Sequence, residues 1–322
     1  MTDRRHPARS GFTLVELLVV IVIIGILVGL AIPAINMVRR RALATRIGME
    51  IKQLESAVEA YREKYGDYPP DFSSFAVVER HVRKVWPRIA QNEFNAFVAV
   101  AWPNGINQPS AVDPAEALAF WLGGFSNDPR RPFFGKGGPF ILPSGASIPN
   151  GVRINEERNK GVFEFDQGRL TMAAASGAGR LSTDGDNDVF PVYPPSGKKA
   201  PYVYFDARTY FDATRPQAFQ HTFYTHSLYG TVAPYGSDRM KTNPTPPPAR
   251  LPEWMNPTSF QIISAGLDDH FGRYQDVSRQ LKLFPSGRVF ANGSVGPTGY
   301  TLEDEDNISN FSDGRQLKDL MP

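Results

Sequence analysis

The chain has 322 residues, no cysteine, 28 glycines and 28 prolines, and 35 basic side chains against 33 acidic ones for a formal charge of +2. That balance gives no basis for a nucleic-acid surface, and the lack of cysteine removes disulfides as a source of rigidity. The glycine and proline load favours a loop-rich, mostly β domain over a helical bundle, in a chain long enough to bury a core.

Residues 1–10, MTDRRHPARS, form a short basic leader. It is not patterned as a secretory signal peptide, because the cleavage-like position precedes the apolar run instead of following it. The run itself, GFTLVELLVVIVIIGILVGLAIPAI, extends from Gly11 to Ile35 and carries one carboxylate, Glu16. Leu17 to Ile35 are uncharged. As a helix they span ~28 Å, close to the hydrocarbon thickness of a bilayer, which predicts a single membrane-spanning helix. An acid inside such a helix costs roughly 2.5–3.5 kcal/mol near the bilayer centre and less at its edge. Glu16 therefore needs a partner, and no basic residue lies between Gly11 and Ile35. A plain signal anchor with a chance acid is the bland alternative.

GFTLVE followed by an apolar run resembles the signature of type IV pilins and type II secretion pseudopilins. The resemblance implies cleavage by prepilin peptidase after Gly11 and N-methylation of Phe12. It also implies a role for Glu16 in meeting the N-terminal amine of a neighbouring subunit, which sets the stagger between subunits. The new amine would lie four residues before Glu16, on the same helix face. Pro33 stands where helices of this family commonly carry a proline, and it should loosen or kink the helix. Cleavage would remove three arginines and one aspartate and leave 32 charges of each sign. The leader arginines favour a cytoplasmic N-terminus, but Arg39, Arg40 and Arg41 weaken that argument. The resemblance places the head outside the cytoplasm, first at the cytoplasmic membrane and then in a filament. Gly25 and Gly29 form a GxxxG that lets helices approach closely, although glycine is simply common in membrane helices.

Ile47, Ile51, Leu54, Val58, Tyr61 and Tyr65 recur at spacings of 4, 3, 4, 3 and 4, one apolar stripe on an otherwise charged helix. Gly66 and Pro69-Pro70 stop it. The stretch AVEAYREKYGDYPPD resembles the end of this helix in major pseudopilins. The expected organisation is a leader at 1–11, a membrane and filament-core helix at 12–35, its amphipathic continuation at 36–66, and a head at 67–322.

Residues 71–150 read as an insertion. Val77 to Val100 predict one or two short helices. Asp113, Pro114 and Glu116 fit N-cap, N1 and N3 of a helix ending at Gly123-Gly124. From residue 160 the signals turn to β: VFEFD, RLTMA, PYVYFDART, SFQIISAG and LKLFP are short aromatic and β-branched runs between turn residues. Residues 242–257, with six prolines, read as an irregular surface loop.

Two acidic clusters invite a hard cation. In Asp184-Gly-Asp186-Asn-Asp188 the alternating oxygens suit calcium, but Val189 and Pro195 stand where an EF-hand needs glycine and glutamate, so an EF-hand is rejected. The second cluster is split between SAGLDDHFG and LEDEDNISNFSDG. It resembles the calcium-binding C-terminus of major pseudopilins, with Phe311 near the place of a tryptophan. That resemblance implies Asp268, Asp304 and Asp306 as calcium ligands, with the Leu267 carbonyl beside them. The intervening segment, 273–301, is longer than in that family. Exposed acidic turns are the alternative for both clusters.

No constellation passes as catalytic. His221 and His226 are five apart with no glutamate between, and neither GxSxG nor a P-loop occurs. The expectation is therefore not an enzyme but an α+β structural subunit: a long N-terminal helix packed on a small antiparallel sheet with large loop-rich insertions. Its partners would be prepilin peptidase, other pilin or pseudopilin subunits and the membrane, with no nucleic acid. The alternative from a different class is a membrane-anchored, non-polymerising extracytoplasmic ligand-binding module.

Overall fold

One helix, α1 (Leu14–Tyr65), accounts for 52 residues of the computed structural model. The structure describes residues 13–145, 147–148, 151–171, 190–211, 222–243, 249–274, 280–291 and 294–322. The predicted leader, Gly11, Phe12 and the Asp184–Asp188 cluster lie outside these. Contacts divide the chain into two units, residues 1–43 and 44–322.

In the first unit the side chains from Leu14 to Ala42 are exposed. Among the described residues α1 is the one helix long and apolar enough to cross a membrane. It continues past Pro33, where proline deletes one bond from the ladder while its neighbours persist.

In the second unit α1 changes character. Ile47, Ile51, Leu54, Val58 and Tyr61 are buried as the spacing predicts, and Tyr65 is half-buried. Gly66 then takes a left-handed φ of 76° and donates its N–H to the Arg62 carbonyl at 2.7 Å, which ends the helix. Arg208 locks the turn that follows. Its guanidinium reaches Asp67 at 2.7 Å, the Tyr68 carbonyl at 2.7 Å and Asp206 at 2.7 Å through Nε. The Asp206 N–H in turn donates to Asp71 at 3.0 Å.

The insertion has its own aromatic core. Helices α2 (Phe75–Val85), α3 (Gln91–Ala101) and α4 (Ala117–Leu122) surround Phe120, every residue of α4 being buried. The Phe120 ring lies 5.2 Å from Phe72 and 5.2 Å from Phe190, and Phe97 stacks on Phe133 at 4.2 Å. The predicted capping box forms: Asp113 accepts from the Ala115 N–H at 2.7 Å, and Glu116 accepts from the Asp113 N–H at 2.8 Å. The other oxygen of the buried Glu116 takes the Phe190 N–H at 2.7 Å. Arg158 caps the far end of α4 through the carbonyls of Ala119 at 2.8 Å and Phe120 at 2.6 Å. Burial pushes its pKa down to about 9. Glu116→Ala should cost about 2–3 kcal/mol, from the lost cap and the stranded buried Phe190 N–H. Glu116→Gln should cost less, which chemical denaturation of the two variants checks.

The strands follow in order: β1 (Phe140–Ile141), β2 (Arg153–Ile154), β3 (Val203–Asp206), β4 (Tyr224–His226), β5 (Gly230–Val232), β6 (Gly236–Asn243), β7 (Ala249–Trp254), β8 (Phe260–Ser264), β9 (Gln280–Phe284), β10 (Arg288–Ala291), β11 (Ser294–Thr298) and β12 (Ile308–Ser309), with a short helix α5 (Leu302–Asp306) before the last. A three-stranded antiparallel sheet, β12-β8-β3, forms the centre, with β3 and β8 buried at every position. A five-stranded sheet, β11-β10-β9-β6-β7, stands apart from it, and its β6–β9 pair is parallel. The class is α+β, but the β part is several small sheets, one of them mixed.

Two strand expectations are corrected. VFEFD forms no strand; Phe163 and Phe165 pack on the Tyr193 ring at 6.2 and 4.9 Å instead. Part of the proline-rich stretch 242–257 is not irregular: β7 pairs with β6, Pro252 opposite Met240. It is an edge strand, where a missing N–H costs no ladder bond.

Candidate assembly and cation sites

The first site sits at the start of α1. Thr13 and Glu16 form a reciprocal cap. The Thr13 N–H and hydroxyl each donate to the Glu16 carboxylate at 2.8 Å, and the Glu16 N–H donates to the Thr13 oxygen at 3.2 Å. A carboxylate in the first turn also suits the positive end of the helix dipole. Thr13 thus satisfies the acid within its own chain, a partner that a search for basic residues does not find. Thr13-x-x-Glu16 is itself the sequence signal for it. Gly11 and Phe12 lie outside the described residues, and Pro33 is inside α1, 17 positions along the helix from Glu16.

The second site gathers the C-terminal acids, and the structure places each against a donor. Asp304, at the N3 position of α5, is fully buried. Both its oxygens lie 2.6 Å from the Lys282 ammonium, which β9 delivers from below. The Thr301 N–H at 2.7 Å and hydroxyl at 2.9 Å also donate to it, with the buried Tyr235 hydroxyl at 3.4 Å. Burial pulls Lys282 down and pushes Asp304 up, each opposed by the other's charge. Asp306 accepts from the Leu267 N–H at 2.5 Å and from the Gln316 amide, and Lys318 approaches it at 3.5 Å. Asp268 accepts from the His270 N–H at 2.8 Å. The Leu267 carbonyl accepts from the Lys198 ammonium.

The resemblance implied calcium between these groups, and a calcium ion needs six to eight converging oxygens. Here the oxygens face N–H groups and ammoniums. Among the described residues no three acidic or histidine side chains converge on a common point. Lys282 comes from residues 273–301, the segment between the two acidic runs. Sequence reasoning missed Lys282 because LKLF reads simply as a strand. The one available signal was a cation flanked by leucines and followed at a distance by a dense acidic run.

The prokaryotic N-terminal methylation motif matches residues 7–32. The chain is 38% identical over 65 residues to the type II secretion system core protein G of Klebsiella michiganensis, covering 20% of this chain and 46% of that relative. It is 38% identical over 72 residues to the type IV major pilin protein PilE of Neisseria gonorrhoeae, covering 22% of this chain and 43% of that relative. A fimbrial protein of Pseudomonas aeruginosa is 43% identical over 53 residues, covering 16% and 34%. The chain thus spans less than half the length of these curated relatives. No solved structure matches it. The chain carries a prepilin-type N-terminal methylation motif and, over about a fifth of its length, is related to type IV pilins and to a type II secretion pseudopilin.

Proposed function

We propose that this protein is a pilin-like structural subunit of a type II secretion pseudopilus or type IV pilus, acting by assembly and not by catalysis. The observation that carries this reading is the methylation motif at residues 7–32 leading directly into an exposed apolar helical stretch. Prepilin peptidase cuts after Gly11, and the Phe12 amine is methylated. The chain is held in the cytoplasmic membrane by α1, with residues 44–322 outside the cytoplasm. The Thr13 cap keeps the Glu16 carboxylate at the first helical turn, where an incoming subunit's amine replaces or joins the threonine donors. A buried amine–carboxylate contact in a lipid or helix-bundle setting is far stronger than its counterpart in water. The apolar surface from Leu17 to Ile35 then passes from lipid to the equivalent helices of other subunits.

Intact mass of the membrane-extracted protein from its native host tests processing: the expected chain starts at Phe12 and carries one methyl group. A chain starting at Met1 in the presence of an active prepilin peptidase would falsify the reading. Glu16→Ala is expected to be cleaved normally yet to be absent from sheared filaments. A Glu16→Ala variant that supports full function as a monomeric membrane protein instead identifies an anchored, non-polymerising module.

A further inference from the structure

We propose that Lys282 is the resident cation of the C-terminal acidic region, a tethered ammonium that holds the place a divalent ion would otherwise fill. The Nζ atom is enclosed on every charged side. It lies 2.6 Å from both oxygens of Asp304 and 2.8 Å from the Arg273 carbonyl, and it sits 4.0 Å from the centre of the Tyr274 ring. Oxygens and a ring face are the surroundings an ammonium prefers. Neither partner touches solvent: the side chains are 1% and 0% exposed.

Lysines also meet the neighbouring oxygens: Lys198 takes the Leu267 carbonyl and lies 3.8 Å from Asp269, and Lys318 stands at Asp306. Lys282 ties α5 to β9 of the five-stranded sheet, and Lys198 ties the segment before β3 to the turn after β8, so the lysines do by covalent attachment what a bound ion does by chelation. Near the pair, the Tyr300 hydroxyl and the Asn307 amide oxygen are buried without a hydrogen-bond partner, while the Ala233 backbone meets the Tyr274 hydroxyl. Both tyrosines lie close enough to feel the Asp304 charge. If the ammonium is deleted, these oxygens and Asp304 become a ligand set for a diffusible cation.

The test uses the full chain in detergent, with thermal melting in EDTA and in millimolar calcium chloride. Wild type is expected to melt within about 1 °C in the two media, because a ligand that does not bind the folded state shifts nothing. Lys282→Met should melt lower in both, its methyl group filling the site without charge. Lys282→Ala should melt lower in EDTA and recover several degrees in calcium. A calcium-dependent rise of the wild type that disappears in Asp304→Asn, Asp306→Asn or Asp268→Asn overturns the proposal, whereas one that persists in all three arises outside this region and leaves Lys282 as its cation. Lys282→Met melting with the wild type, or Lys282→Ala unresponsive to calcium, also overturns it. If neither lysine variant folds, the comparison of wild type with the three asparagine variants, repeated by equilibrium dialysis with calcium, decides alone.

Discussion

Gly48→Val is expected to remove most of the stability of residues 44–322, at a cost of about 3 kcal/mol or more. Gly48 lies on the buried stripe of α1, and a Cβ there would stand within van der Waals collision of the Gly314 carbonyl, 2.2 Å from its oxygen and 2.9 Å from its carbon. Both colliding atoms belong to backbone, so no rotamer change relieves them. Gly314 has a φ of 72°, which suits glycine and strains any other residue. Gly48→Ala should be milder in degree but the same in kind. Gly314→Ala attacks the same contact from the other side, so the double variant should cost less than the two single costs together. Chemical denaturation of the three variants measures this. A Gly48→Val protein that melts with the wild type would show that the C-terminal segment does not press on α1 in solution.

Arg208→Met should be comparably severe and should steepen the loss of stability as pH rises. Arg208 faces Asp206, which is 1% exposed, while Asp71, fully buried, accepts from the Asp206 N–H and the Thr209 hydroxyl. Breaking a buried pair by removing one member costs about 3–5 kcal/mol, because the remaining charge is stranded. Burial already pushes Asp206 up to about 6, against the pull of Arg208, and raises Asp71 too. Removing Arg208 lifts Asp206 further. A carboxyl whose folded pKa exceeds its unfolded value of ~3.9 binds more protons in the folded state. Stability of the variant is therefore greatest below about pH 4 and falls as pH rises through 6. Urea titrations at pH 4.5 and 7.5 should find the variant closer to wild type at the lower pH. Arg208→Lys should fall between, since one ammonium cannot reach Asp67, the Tyr68 carbonyl and Asp206 together.

These residues also show what a sequence discloses. The helical stripe from Ile47 to Tyr61, the Asp113–Glu116 cap and strands β3, β8 and β9 follow from local spacing, and each stands where that spacing puts it. What the sequence conceals is of another kind. VFEFD has strand composition, yet its rings find Tyr193 before its backbone finds a partner strand. β7 hides behind prolines because an edge position tolerates them, and no local rule announces an edge. Glu16 could be read as an acid in need of a partner, and its hydroxyl partner lay three residues away in plain view. The C-terminal acids could be read as a cation site, but the identity of the cation depends on Lys282, 22 positions from Asp304. Charge complementarity at that range is a product of the fold, invisible to any window along the chain.

The meeting of Gly48 with Gly314 has a temporal side. Synthesis delivers α1 well before the segment that carries the buried Ile308 and Leu317 and the Gly314 that meets Gly48. Until those residues emerge, Gly48 lacks its contact and the central sheet lacks β12. Folding of this unit therefore depends on a contact between residues 266 positions apart in sequence, which no local element can form alone.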